Sequence, residues 1–249
     1  MRFDVVTLFP ELFGPHLASG ITRRAYTPDK LLVRLWPLRD FADDAYRRVD
    51  DRPYGGGPGM VMLAEPLLRA LAAIRAERSD NCAVVHFTPT GRRLDQACVN
   101  EFAQGPGAVL LCGRYEGIDQ RFIDHAVTHE ISLGDFVLSG GELPALVLLD
   151  AVARLQPGVL ASPSHEQDSF SDGLLEGPAY SRPERLTVEG AEVAVPPVLM
   201  SGHHGAIARW RRERALETTA RRRPDLIAAV RAAGRLSADD ERFLATLGL

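Results

Sequence analysis

Lysine is nearly missing from this chain: Lys30 is the only one in 249 residues, although lysine and arginine together number 29. No glycine-rich stretch therefore ends in Gly-Lys-Ser/Thr, which excludes a P-loop, and no G-x-G-x-x-G follows a strand-like run, which removes the common dinucleotide fingerprint. Cysteine is scarce as well. Cys82, Cys98 and Cys112 have no C-x-x-C spacing, and Cys112 closes the apolar run AVLLC, so they read as buried thiols of a reducing compartment and not as disulfides or zinc ligands. His125 and His129 stand four apart, but the acid of H-E-x-x-H is absent between them and no metal site is expected. Apolar runs of about 18 residues are absent. Asp4, Pro10 and Glu11 interrupt the first residues, so neither a signal peptide nor a membrane helix is expected, and the protein is placed in the cytoplasm.

What is present suits an ordinary globule: 45% hydrophobic and 25% charged residues are enough to build a large core in one big domain or two modest ones. A net charge of -4 argues against a globally basic nucleic-acid binder, yet the charge is unevenly placed. Between Arg209 and Arg223, RWRRERALETTARRR holds seven arginines against two glutamates. Such a helix is either a solvated face or a surface for nucleic acid or another acidic partner.

Short β-type runs at 5–9, 31–36, 83–87, 108–112 and 130–133 alternate with helical patterns at 65–78, 94–104, 118–126 and 143–155. The alternation implies an α/β domain, a parallel sheet flanked by helices, with ligands sitting outside the carboxyl ends of the strands. Three loops fall there: Thr88 to Gly91, Gly113 to Gly117, and Gly134 to Gly141. From Gln156 to about Pro183 the periodicity dissolves into Pro, Gly, Ser and Asp, a linker long enough to suggest function. Helical patterns return at 206–219, 224–233 and 238–247, the last with Ser237 as N-cap. The expected division is a catalytic-type domain at 1–158, a flexible linker at 159–182 and a small α-helical domain at 183–249.

The segment ISLGDFVLSGGE, from Ile131 to Glu142, is the leading candidate for a ligand site, because Gly134, Gly140 and Gly141 let backbone approach a bound molecule. Its structural reading is a capping box between Ser139 and Glu142, with Pro144 competing to start the helix later. Tyr54 to Met60, YGGGPGM, reads as a phosphate cradle, a flexible substrate-side loop or a plain turn; Pro58 removes one donor. Asp150 and Arg154 are i,i+4 on a helix apolar nearly all round, which suits an oligomer interface. His203 and His204 open a later helix, as a cap or an RNA contact. Asp168, followed by Ser169 and Phe170, is a mid-linker carboxylate: a solvated acid or a general base on a loop that orders on binding.

Together, FDVVTLFPELF from Phe3, DDRPYGGGPGMVM from Asp50, LLCGRYEGIDQR from Leu110, ISLGDFVLSGGELP from Ile131, DAVARLQPGVL from Asp150, DSFSDGLLEGPAYSRP from Asp168 and PPVLMSGHH from Pro196 resemble the bacterial tRNA (guanine-N1)-methyltransferase family of the knotted SPOUT class. The resemblance runs nearly the whole length; LTVEGAEVAV from Leu186 is longer than the family's turn at that place. It implies a deep trefoil knot in the first domain and S-adenosylmethionine held by Pro89, Gly113, Leu133, Gly134, Asp135, Phe136, Val137 and Leu138, with Gly140, Gly141 and Pro144 closing the site. It also implies a homodimer whose active site is shared between subunits. In that reading Asp168 is the base that removes the N1 proton of guanine 37, 3′ of the tRNA anticodon, and Arg154 stabilises charge at O6. Arg114, Tyr115 and Glu116 contact the base, and the arginine-rich helix holds phosphates of the anticodon stem-loop. A divalent cation is suggested by the family, without a ligand cluster to place it. The rival readings are a non-catalytic RNA-binding protein and a nucleotide hydrolase using Gly55 to Gly59.

Overall fold

The computed structural model describes residues 1–160 and 168–248. The chain forms two compact units that divide between 162 and 163. In the first, strands β1 (Arg2–Thr7), β2 (Leu32–Pro37), β5 (Ala83–Arg93), β6 (Gly107–Leu111) and β7 (His129–Ser132) build one sheet in the order β2-β1-β6-β5-β7. Every pair in it is parallel. Two short strands, β3 (Asp50–Asp51) and β4 (Val61–Met62), pair antiparallel beside it. A short helix α1 (Gly14–Ala18) precedes α2 (Ala64–Glu77), α3 (Gln96–Gln104), α4 (Gln120–Ala126) and α5 (Glu142–Arg154).

Strand β6 shows how the layers are specified. All five of its residues are buried, so it reads as a continuous apolar run, as a strand covered on both faces should. Period-two alternation then sorts the side chains. Ala108 and Leu110 join the cluster with α3 and α5 on one face, while Val109 and Leu111 join α2 and α4 on the other. The expected strands and helices are all found, with shifted ends. Helices α3 and α4 start two residues later than the periodicity suggested, because Asp95 and Asp119 act as N-caps, accepting from the Cys98 and Arg121 amides. Strand β1 stops at Thr7, whose hydroxyl accepts from the Phe9 amide and turns the chain. Strand β5 does not end at Phe87. Both Phe87 and Arg92 pair with Ile131, so residues 88–91 loop out as a bulge inside a longer strand. Gly91 permits this: a Cβ there would meet the Glu130 carbonyl carbon at 2.4 Å.

The second unit contains a hairpin, β8 (Arg185–Val188) and β9 (Ala191–Ala194), and helices α6 (His204–Arg222), α7 (Pro224–Ala232) and α8 (Ala238–Thr246). The hairpin is an addition to the small α-helical second domain that the sequence leads one to expect. It accounts for the added length at Leu186 to Val195: Glu189 and Gly190, both at positive φ, make the two-residue turn. His203 caps α6 by accepting from the Ala206 amide, and Ser237 with Asp240 forms a capping box on α8. Of the expected linker, 161–167 lies outside the described residues. The part from Asp168 onward is packed chain: Leu174 is buried with Leu216, Ile227, Val230 and Leu244. The polar sequence hid this because a single leucine anchors it. Among the described residues no helix is long and apolar enough to cross a membrane.

At the amino-terminal edge of the sheet, Asp4 is fully buried on β1. It accepts from Arg78 Nη1 at 2.8 Å, Arg2 Nη2 at 2.7 Å and Trp36 Nε1 at 2.8 Å. Arg78, itself only 3% exposed, lies 2.8 Å from both Asp4 and the more exposed Asp80, and without Asp4 it would lose its one fully buried partner. Replacing Asp4 by alanine is expected to cost about 3 to 5 kcal/mol of unfolding free energy, measured by urea denaturation; a change within error would remove this cluster from the account of the fold.

Candidate functional site

The carboxyl ends of β5, β6 and β7 open into a cleft of about 320 Å³ in the first unit. Its walls are the three expected loops. Pro89 comes from the β5 bulge, Gly113 to Gly117 from the end of β6, and Leu133, Gly134 and Phe136 to Gly141 from the segment after β7, with Pro144 behind them. Asp135, exposed on the same segment, does not line the cleft. Phe136 and Val137 are 55% and 86% exposed, an apolar lip that water alone covers poorly.

Glycine is required where this lip meets β6. The Gly141 amide donates to the Gly113 carbonyl at 2.9 Å, and a Cβ on Gly141 would lie 2.7 Å from the Cys112 Cα. A Cβ on Gly140 would lie 2.3 Å from Arg114 Nε. The capping-box reading of Ser139 and Glu142 is not met. Gly141 is the N-cap of α5, Pro144 does not delay the helix, and Glu142 points inward at 1% exposure. Its carboxylate accepts from Thr7 Oγ1 at 2.9 Å and Arg114 Nε at 2.8 Å. Two strong internal donors compete successfully with the backbone amide.

Arg114 is thereby fixed: it also donates to the Ser139 carbonyl at 3.1 Å and lies 4.5 Å over the Phe9 ring. Tyr115 sits at φ 61 and is 42% exposed; burial, then the neighbouring Asp50 carboxylate, raises its phenol above the ordinary range. Glu116 is exposed, its amide bonded to the Met60 carbonyl at 2.9 Å. The Tyr54–Met60 loop of the sequence lies against it, since a Cβ on Gly59 would fall 2.4 Å from Glu116 Cγ. This places the glycine loop beside Glu116, at the border of the cleft. The Cys112 thiol is pushed well up by burial and by Glu142, so it is held neutral; all three cysteines are free, and Cys82 is only half-buried.

Arg154 ends α5 and does not line this cleft. Asp150, four residues earlier, has His16 Nε2 at 3.9 Å. Asp168 belongs to the second unit. Its carbonyl accepts from the Ser171 amide in a turn with Phe170 at φ 73, a costly conformation for a side-chain-bearing residue. It lines a separate cleft there with Tyr180, Arg182, Met200, Trp210 and Arg211. Within the arginine-rich helix, Arg212 pairs with Asp172 and Asp240, Arg214 and Arg221 with Glu217, and Arg223 with Asp225. Arg211 and Arg222 are exposed. Among the described residues no group of three or more His, Cys, Asp and Glu is arranged to hold a metal ion.

Sequence reasoning missed His86, Thr7 and the true role of Glu142. His86 is buried at 7% exposure, lines the first cleft and stands at the end of the regular part of β5. That place, next to a rim loop, was the available signal.

The family model described as tRNA (Guanine-1)-methyltransferase TrmD matches residues 1–229. Curated proteins named tRNA (guanine-N(1)-)-methyltransferase are similar along the whole chain. That of Leptothrix cholodnii is 68% identical and covers 100% of both chains. Those of Methylibium petroleiphilum and Paracidovorax citrulli are 66% and 61% identical, each over 99% of this chain and 98% of its own.

Gly140→Val is expected to push Arg114 off Glu142. It should lower stability by about 1 to 3 kcal/mol and weaken whatever ligand the cleft holds, read by chemical denaturation and by titration with S-adenosylhomocysteine. Unchanged affinity in a folded variant would mean that this contact does not shape the cleft.

Proposed function

This chain belongs to the tRNA (guanine-1)-methyltransferase family, and from that premise we propose that it transfers a methyl group from S-adenosylmethionine to N1 of guanine 37, 3′ of the tRNA anticodon. The observation that carries the reading is the cleft at the strand ends, lined by the residues named for the methyl donor from sequence, Asp135 excepted. Its 320 Å³ lies at the lower end of the range for small-molecule sites, about 300 to 1,000 Å³. Gly113, Gly134, Gly140 and Gly141 offer backbone in place of side chains, which suits an adenosine held by amides and carbonyls.

S-adenosylmethionine supplies an electrophilic methyl group on a sulfonium. Neutral guanine carries a proton on N1, so the nitrogen lone pair becomes available only when that proton leaves. Asp168 accepts it. Arg154, which does not line the cleft of a single subunit, stabilises from the site between subunits the negative charge that then gathers toward O6, a preorganised electrostatic contribution. Arg114, locked by Glu142 and Ser139, presents a rigid edge to the base, and Tyr115 and Glu116 flank it. The base reaches this place by leaving its stack, which a single-stranded anticodon loop allows at low cost.

The proposal includes a homodimer in which Asp168 of one subunit serves the cleft of the other. Its support is α5, where Leu143 and Val147, four apart, are 52% and 47% exposed while Leu148, Leu149, Val152 and Ala153 fill the core. An apolar stripe on a helix already buried on its other face suits a second copy. The deep trefoil knot of the class and a cytoplasmic location belong to the same reading. So does a division of labour in which 1–158 holds the methyl donor, 159–182 carries the base and 183–249 holds tRNA, with exposed Arg211 and Arg222 at phosphates.

Incubation with methyl-labelled S-adenosylmethionine and tRNA bearing guanine at that position should label the RNA. Asp168→Asn should keep S-adenosylhomocysteine affinity and lose turnover by about 100-fold or more. Normal turnover across pH would remove Asp168 from the role of base, and no label with the unaltered protein would defeat the reading itself. Val147→Glu should shift the protein to monomer in sedimentation and abolish transfer; a fully active monomer would contradict the shared site.

A further inference from the structure

His86 is the one buried ionisable side chain of the cleft that the mechanism does not use. It projects from β5 with its Nε2 toward the end of β6: a Cβ added to Gly113 would lie 3.3 Å from that nitrogen, so the absence of a side chain there leaves it facing the cleft. Nδ1 has no hydrogen-bond partner among the described residues, and its neighbouring acid, Glu130 Oε1 on β7, is 3.6 Å away. A carboxylate on the Nδ1 side favours the tautomer with the proton on Nδ1, as carboxylates behind metal-bound histidines do. Nε2 is then a lone pair aimed into the cleft.

Resting on the methyltransferase reading, we propose that His86 is a ligand-binding residue whose Nε2 accepts a hydrogen bond from the α-ammonium at the amino-acid end of the methyl donor. Glu130 decides between the possible donors. A neutral imidazole backed by a carboxylate has net negative charge behind it, which favours a cation over a ribose hydroxyl. The other charged or titratable groups lining the cleft are Arg114, Tyr115 and Glu116. Burial lowers the His86 pKa from its usual value, with Glu130 acting the other way. The imidazole therefore stays neutral at physiological pH, as an acceptor must.

The test compares two probes by calorimetric titration: S-adenosylhomocysteine, which carries the ammonium, and 5′-methylthioadenosine, which keeps the nucleoside and lacks the amino acid. His86→Phe should weaken the first by at least about ten-fold and the second by less than two-fold. The unaltered protein provides a reading independent of the variant's folding. Its affinity for S-adenosylhomocysteine should be flat around neutral pH, where His86 is neutral and the α-ammonium is still protonated, and fall in acid as His86 gains a proton, while that for 5′-methylthioadenosine stays level. Equal losses for both probes, or none for either, would overturn the assignment. An unaltered protein that binds neither probe would overturn the methyltransferase reading beneath it.

Discussion

The first unit is organised around one buried carboxylate. Glu142 opens α5 at 1% exposure and receives Thr7 from the end of β1 and Arg114 from the loop after β6. Three segments distant in sequence meet on it, and two of them, the loop after β6 and the start of α5, border the cleft. A buried acid is costly unless its lone pairs are answered, and breaking such a pair by removing one partner costs about 3 to 5 kcal/mol. The cluster therefore specifies one arrangement of the rim loops. It also fixes Arg114, which lines the cleft.

The glycines around it follow from the same constraint. For Glu142 to reach Thr7, the chain before it must cross the end of β6 at backbone contact, and the 2.7 Å approach to Cys112 Cα at Gly141 leaves no room for a side chain. Gly140 is bare because Arg114 lies over it. The cleft that results is lined by bare backbone at Gly113, Gly117, Gly134, Gly140 and Gly141, which can read a ligand by shape and by amide and carbonyl hydrogen bonds. Of the polar side chains bordering it, His86 comes from β5, and Arg114, Tyr115 and Glu116 come from the loop after β6. Rigid elements thus hold the chemistry and flexible residues allow the approach.

Much of this was legible in the residues. Strand β6 announced itself as an unbroken apolar run, and the helices by period; the three rim loops followed from where strands end in a parallel sheet. The misreadings share a cause. Ser139 and Glu142 match a capping box locally, but the match says nothing of Thr7, 135 residues away, whose hydroxyl competes for the carboxylate. Strand β5 looked finished at Thr88-Pro89 because a bulge and a strand end have the same composition; only pairing with Ile131 distinguishes them. The segment after Asp168 read as linker because one buried leucine leaves no periodicity. His86 is ordinary in sequence and acquires meaning from Gly113, in the loop after β6, and Glu130, on β7. Local pattern found the elements, and long-range contact decided what the polar residues do.

If the Glu142 cluster is what holds the methyl-donor cleft in shape, the isosteric change Glu142→Gln should be felt at the ligand as well as in stability. The direct measurement is the dissociation constant of S-adenosylhomocysteine for Glu142→Gln at a temperature where the variant is fully folded by circular dichroism. The account predicts a loss of about ten-fold or more, as expected for removing one charge-assisted hydrogen-bond partner. A folded variant that binds as tightly as the unaltered protein would contradict it.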